Sequence, residues 1–589
     1  MFLVTTADER YWKSDEKILF LGEWCKLYGR KEVWSKLDHE TLPYHWDDRQ
    51  RLFRDFQYLA SVYEQRLASL ALQLNLLHGE SRPIRYWRII IGPWLRYFIE
   101  ALYDRFLSIE SAIQCGKVTG TKVVHASAST WTPADFRQFL GWYVGDEYNQ
   151  YLYGRVISFF GGMLGQKLET AVAARSISTP NTNDNTASLT RRAAGLLFSR
   201  IPDSLNRVVI VSSYLTRWNQ AKVQISLGQI PYLVSPCPHV ATERVDSELR
   251  RTLTCNSSTT RFGELLNQLV PEQIPIAYIE SYRHRLEQAL NAFPRNPHVM
   301  FTANAFSEDE AFKFWAAYQC ERGAKLCVAQ HGGHDGTGLW SSTEEHKIRI
   351  SDRYYTWGWK PEATNLPCVP LSPGPLIRAK RRLEPRPDGQ ILWVSMSLPR
   401  YAYWMYSVPV GPQMLAYFED QQQFAKSVTP EVLDMLLLRL YPHDFGWDAA
   451  SRLRDAAPRL KTYQGRTPLI DQLNRSRLFV GTYNSTTYLE TFVADYPTII
   501  FWNPEHWELR AGAQGAFDDL RRAGILHDTP EAAAAKVNEI YRDPQNWWRG
   551  QSVQQAKERF CAQFAVVRKD WLQEWKTELL QLPDHQETA

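Results

Sequence analysis

Leu478–Glu490 reads LFVGTYNSTTYLE. A short apolar run, Leu478–Gly481, predicts a buried strand, and Thr486–Asp495 predicts a helix. The polar cluster between them is therefore a strand-to-helix turn, and Asn484 or Ser485 suits its N-cap. A strand feeding directly into a helix is the repeating unit of a parallel α/β sheet. The free N–H groups and positive dipole end of such a helix attract an anion. Ser485, Thr486 and Thr487 add hydroxyl donors, and Glu490 lies one turn further in, at a distance suited to ribose or sugar hydroxyls.

The same grammar extends in both directions. Ile391–Ser395 (ILWVS), Leu436–Leu440 (LLLRL) and Thr498–Trp502 (TIIFW) predict further strands of one series. Upstream, Arg207–Val211, His298–Thr302, Ala324–Ala329 and Tyr354–Trp357 predict another, with a helix over Glu308–Arg322. Residues 361–390 are Pro-rich with a basic patch and read as a linker between the two series. The expected fold is α/β, with two Rossmann-like parallel-sheet domains facing a cleft.

Residues 1–360 form the first domain in this reading, beginning with strands at Phe2–Val4 and Ile18–Leu21. A helical insertion is expected over about 47–172, where Phe53, Phe56, Leu59, Tyr63, Leu67, Leu70 and Leu74 recur at helical spacing. Ser176–Thr190 (SISTPNTNDNTASLT) reads as a surface loop. The second domain spans 391–550. The tail, 551–589, has Trp571 and Trp575 at i, i+4 and predicts a helix crossing back to the first domain.

Ligands of open parallel sheets sit beyond the carboxyl ends of the strands. One such end is Gln330–Gly338 (QHGGHDGTG), with four glycines for close backbone approach and two imidazoles beside a carboxylate. His331, His334 or Asp335 there can serve as general base; a third metal ligand is not evident. Another is Arg439–Trp447 (RLYPHDFGW), in which Arg439 can clamp a phosphate and His443 follows an interrupting proline. The phosphate-binding candidates are thus Arg439, His443, Asn484, Ser485, Thr486, Thr487 and Glu490. There is no GxxxxGK[ST], no GxGxxG after a strand, no GxSxG and no DxD triplet, which disfavours P-loop, dinucleotide and elbow-type hydrolase chemistry.

Composition narrows the class. Of 589 residues, 44% are hydrophobic and 22% charged, an ordinary globular balance, and a net charge of +4 is too small to imply a nucleic-acid partner. The 22 tryptophans lean toward a sugar or base ligand, core packing being the commoner use of any one of them. The opening apolar run is broken by Asp8, Glu9 and Arg10, and Ile89–Leu95 falls far short of the ~20 residues of a spanning helix. Eight scattered cysteines without a CxxC pair fit reduced thiols. A cytoplasmic protein is expected, with peripheral contact at the inner membrane face through Trp87–Phe106 as the alternative to burial of that segment.

Taken jointly, Tyr86–Leu95 (YWRIIIGPWL), Phe301–Phe306 (FTANAF), Gln330–Gly336 (QHGGHDG), Tyr355–Trp359 (YTWGW), Arg439–Trp447, Asn484–Thr491 (NSTTYLET) and Phe501–Arg510 (FWNPEHWELR) resemble a family of transferases encoded in O-antigen and other surface-polysaccharide clusters. The resemblance implies a GT-B-like fold and transfer of an activated sugar from a nucleotide-sugar donor to a glycan or lipid-linked glycan acceptor, without a further cofactor. More loosely, Asp335-Gly336 and Ser485-Thr486 are similar to two motifs of transferases that use CMP-linked acidic sugars. The motif between them has His-Pro where this chain has Tyr441-Pro442-His443. That similarity implies a CMP-sugar donor, Asp335 as base and Ser485/Thr486 on the phosphate. A sugar epimerase or polyol-phosphate transferase on the same fold, or a non-catalytic scaffold of an assembly complex, are the alternatives.

Overall fold

The computed structural model describes residues 1–161, 167–172, 207–231, 244–253, 258–361 and 365–582. The expected loop Ser176–Thr190 lies outside them. Three parallel sheets organise the chain. The first joins β1 (Phe2–Val4), β2 (Ile18–Phe20), β3 (His39–Thr41), β4 (Gly120–His125) and β5 (Lys167–Val172) in the order β3-β2-β1-β4-β5. The second runs β10-β9-β8-β7-β6, from β6 (Val208–Val211), β7 (Val299–Thr302), β8 (Lys325–Ala329), β9 (Arg353–Thr356) and β10 (Cys368–Pro370). The third contains β11 (Gln390–Val394), β12 (Leu436–Arg439), β13 (Lys461–Tyr463), β14 (Ser476–Gly481), β15 (Thr498–Phe501) and β16 (Leu526–His527), ordered β13-β12-β11-β14-β15-β16. Counted from its first strand, the third sheet has the doubly wound Rossmann order.

The second and third sheets are the two α/β layers expected from the sequence, and they present their carboxyl ends to each other in a GT-B-like arrangement. The strands at Phe2–Val4 and Ile18–Phe20 do not join the second sheet. They pair with each other and with β4, in registers Phe2↔Ile18 and Phe2↔Gly120. A buried three-residue apolar run identifies a strand but carries nothing that selects its neighbour.

Two long helices, Arg49–His78 and Ile84–Gln114, form the crossover between β3 and β4 rather than an insertion standing apart from a sheet. The first starts at an Asp48 cap and ends at Gly79 in the left-handed region (φ 67°). Its buried residues keep the three-to-four spacing seen in the sequence. The second is buried around most of its circumference and packs on both the first helix and the helix Glu310–Glu321 under the second sheet. Gly92 permits that packing: a Cβ there would lie 2.8 Å from both His346 Cε1 and Tyr63 Oη. Trp87, Trp94, Phe98 and Leu102 are fully buried, so Trp87–Phe106 is core and has no face for a membrane surface. Among the described residues no helix is long and apolar enough to cross a membrane.

The stretch read as a linker is partly built into the fold. Cys368–Pro370 pairs with β9 as an edge strand, where a proline without N–H is tolerated, and Gly374–Arg382 is a helix that buries Leu376, Ile377 and Ala379. The tail is two helices, Gln551–Phe564 and Trp571–Gln581, not one. Trp575 and Leu579 of the second pack beside Val208, Phe301 and Tyr355 of the second sheet, and Trp575 Nε1 donates to Ser372 O at 2.8 Å.

Buried charges tie the layers together. Glu100 accepts from Arg96 Nε at 2.5 Å, from Met405 N at 2.9 Å and from Ser342 Oγ at 3.3 Å. It thereby joins the long helix to the segments after β8 and β11. Removing one partner of a buried pair leaves an uncompensated charge. Glu100→Ala is therefore expected to cost about 3–5 kcal/mol, read as a lower denaturant midpoint for the unfolding transition that includes this helix.

Candidate active site

The loop after β8 is held by Gln330. Its Oε1 accepts from Trp357 N at 3.0 Å and Trp359 Nε1 at 2.8 Å, while Nε2 donates to Gly332 O at 2.8 Å and Asp335 O at 3.1 Å. This buried amide uses both ends and fixes the path of the glycine-rich turn. Gly333 is needed for close approach: a Cβ there would come within 2.3 Å of Ser485 O on the opposite loop.

The two strand ends singled out in the sequence therefore meet. Gly333 N donates to Thr486 Oγ1 at 3.3 Å, and Asn484 Nδ2 donates to Thr337 Oγ1 at 3.0 Å. Asn484 Oδ1 accepts from Tyr488 Oη at 2.9 Å, so Asn484 cross-links the loops. Arg510 braces the same junction, with its N on Thr337 O at 3.0 Å, Nε on Gly338 O at 3.1 Å and Nη2 on Glu344 Oε1 at 2.7 Å.

The titratable groups here sit in a buried network. Asp335 is buried, paired with Lys347 and hydrogen-bonded by Tyr354 Oη at 3.0 Å. Burial pushes its carboxyl up, but Lys347 and the neighbouring imidazoles bring it below the ordinary carboxylate range. A carboxylate so engaged is a weak proton acceptor. Burial and then the Lys347 charge push His331 down to about 4. Burial likewise takes His334 to about 4, against the hydrogen bond from its Nε2 to Ser407 O at 3.1 Å. Both imidazoles are neutral at pH 7 and keep a lone pair. His331 Nδ1 is buried and makes no hydrogen bond.

On the third sheet, Ser485 precedes the helix Thr486–Val493 without a side-chain hydrogen bond to its first turn. Thr487 and Glu490 lie on that helix, and Tyr483 feels the charges of both Glu490 and Arg439. Burial pushes the Tyr483 hydroxyl up to about 12, so it stays a donor. Arg439 turns partly away, donating to Thr467 O at 2.9 Å and to Gln472 Oε1. His443 is exposed. Glu490 is 3.6 Å from Arg378, yet burial still raises its carboxyl to about 7. Among the described residues, no group of three or more His, Cys, Asp or Glu side chains is placed to hold a metal ion.

Sequence reasoning gave no role to Gln330, Lys347, Tyr483 or Arg510. Arg510 stood in the segment FWNPEHWELR, but only the fold brings it to the loop after β8.

Two of the three parallel sheets thus bring polar strand-end loops into mutual contact, with a C-terminal helix returning to the first of the two, a GT-B-like α/β arrangement. The chain belongs to the LIC12162 family of transferases, whose family model matches residues 1–579. No curated protein matches it. Among solved structures it is similar to MurG of Acinetobacter baumannii, at 10% identity over 64% of this chain and 99% of that one, with a TM-score of 0.31. A glycosyltransferase from Rickettsia africae is similar at 11% identity, 64% and 98% coverage and a TM-score of 0.33. WaaG, a glycosyltransferase involved in lipopolysaccharide biosynthesis, is similar at 9% identity, 64% and 99% coverage and a TM-score of 0.26.

Glu490 supplies a test of this geometry. Its folded-state value of about 7 lies above the ordinary 4.5, so the folded protein retains a proton that the unfolded chain releases. That contribution to stability is full below the lower value and is lost as pH rises through the upper one. Between pH 5 and pH 8 the wild type should lose roughly 2 kcal/mol relative to Glu490→Gln, measured by denaturant unfolding of both proteins.

Proposed function

We propose that this transferase is a glycosyltransferase that moves a sugar from a nucleotide-activated donor to a surface-polysaccharide or O-antigen acceptor. The observation that carries the reading is the contact between the two strand-end loops. It sets the neutral imidazoles of residues 331 and 334 on one side and the uncapped start of the Thr486 helix on the other.

In this reading, residues 391–550 bind the donor. Its phosphate lies at Ser485 and Thr486, where first-turn N–H groups and hydroxyls meet an anion. Thr487, Tyr483 and Glu490 face the ribose or sugar hydroxyls, with Arg439 and Arg378 supplying positive charge nearby. Residues 1–360 carry the acceptor. His331, a neutral imidazole that is only partly buried as a residue, takes the proton of the attacking hydroxyl. Asp335, locked to Lys347 and Tyr354, is a positioning residue for the loop, which revises the sequence-based role of base. The favoured donor remains a CMP-linked acidic sugar: a single phosphate needs less charge neutralisation than a diphosphate, and both nearby arginines already have other partners. A cytoplasmic location, where nucleotide-sugars are available, goes with this reading.

Two measurements test it. A thermal-shift panel with CMP, CDP, UDP, GDP and dTDP should show stabilisation by CMP, about 2.7 kcal/mol at 100 times Kd. A shift with diphosphates alone would discard the CMP donor, and no shift with any would remove the donor site. With an active donor, kcat/KM should fall on the acid side with an apparent pKa near 4, the value of the free His331. An acid limb near 7 would transfer the role to Glu490.

A further inference from the structure

A cleft of about 550 Å³ opens between the helix Arg49–His78, the segment following Gly336 and the start of the helix Ala511–Arg522. Its size falls within the roughly 300–1,000 Å³ of small-molecule sites. None of the residues given to the donor lines it. It borders the loop after β8 at Gly336, one residue from Asp335, and so adjoins the proposed reaction centre from the acceptor side.

The walls combine two kinds of surface. Phe53, Leu339, Leu366 and Trp359 are apolar, and Leu339 and Leu366 are each 39% exposed. Gln57, Glu345 and Gln563 place exposed or half-exposed amide and carboxylate groups among them. Two of the wall tryptophans are held by other side chains. Trp359 is fixed by Gln330 at 2.8 Å with the Arg510 guanidinium 5.4 Å from its ring centre. Trp340 packs 5.1 Å from Phe53, and its buried indole N–H has no hydrogen-bond partner.

The charged lining among the described residues is balanced: Glu344 and Glu345 against Lys360 and Arg510. Glu344 is already neutralised by Arg510 at 2.7 Å. Among these described residues no cation is in surplus for a phosphate and no anion for a cationic peptide. Apolar faces interleaved with hydrogen-bonding side chains match a pyranose ring, whose C–H face is apolar and whose rim carries hydroxyls. We infer that this cleft binds neutral sugar rings of the acceptor glycan, with Phe53, Leu339 and Leu366 against the ring faces and Gln57, Glu345 and Gln563 on the hydroxyls. The inference rests on the glycosyltransferase reading and adds the chemical class of the acceptor.

Saturation-transfer NMR with the full chain and a panel of methyl glycosides (α-D-glucoside, β-D-galactoside, α-D-mannoside, α-L-rhamnoside and the β-N-acetylglucosaminide) tests it. At least one should receive saturation, strongest at ring C–H protons. Leu339→Glu and Gln57→Ala, both at exposed positions, should weaken that binding by about ten-fold while leaving the melting temperature and the nucleotide shift unchanged. Nucleotide stabilisation without any glycoside signal, or a signal indifferent to both variants, overturns the inference and leaves the donor site standing. A variant-sensitive glycoside signal without any nucleotide shift supports the cleft and removes the donor reading instead.

Discussion

The segment that leaves β11 is gripped by buried charge, and the rest of the structure depends on that grip. Glu100 holds Met405 N, Arg105 Nη1 holds Ala402 O at 2.5 Å, and Asp146 accepts from Arg400 Nη2 at 2.6 Å. Arg49 donates to Val408 O at 3.0 Å, to Gln413 Oε1 at 2.7 Å and to both oxygens of Glu508 at 2.7 Å. Taking a charge out of water is expensive, so such groups persist only where nearly every donor and acceptor is met. Here the partners include the backbone of residues 402, 405 and 408 and the side chain of Arg400, which fixes the course of that segment against the N-terminal helices. The third sheet is thereby held in one place relative to the other two, and the loops after β8 and β14 come within hydrogen-bond distance.

The same principle governs the site. Lys347 and Tyr354 both donate to Asp335, and that contact holds the glycine-rich turn. The groups left with unshared lone pairs are histidines, because a neutral imidazole is far cheaper to bury than an ion. The depressed values of His331 and His334 thus follow from the burial that the loop contact imposes. Glu490 shows the converse, with burial keeping a proton on its carboxyl despite a nearby arginine.

Much of the fold was legible. Strands at 208–211, 299–302, 391–394, 478–481 and 498–501 are short β-branched or apolar runs bounded by polar residues, and each formed where that pattern placed it. The helix Thr486–Val493 formed as expected, though Ser485 caps it without a side-chain hydrogen bond. Legibility failed where identity of partner mattered more than type of element. Phe2–Val4 could pair with any parallel neighbour, and its actual partners lie at Ile18 and Gly120. Residues 361–390 looked like a linker because proline and arginine dominate, yet alternate apolar residues dock a strand and a helix. The break between the two C-terminal helices carried no proline or glycine to announce it.

By itself, then, the sequence determined an α/β chain with parallel sheets, the polar loops that end its strands, and the apolar helices that became its core. Local propensity and hydrophobic period are properties of contiguous residues, and they fix these things without a partner. The tertiary structure alone decided that Asp335 is neutralised by a lysine 12 positions away, that Asn484 is a cross-link, and that Arg510 braces a loop over 170 residues upstream. Those outcomes depend on which charges are buried together, and burial is a property of the packed chain.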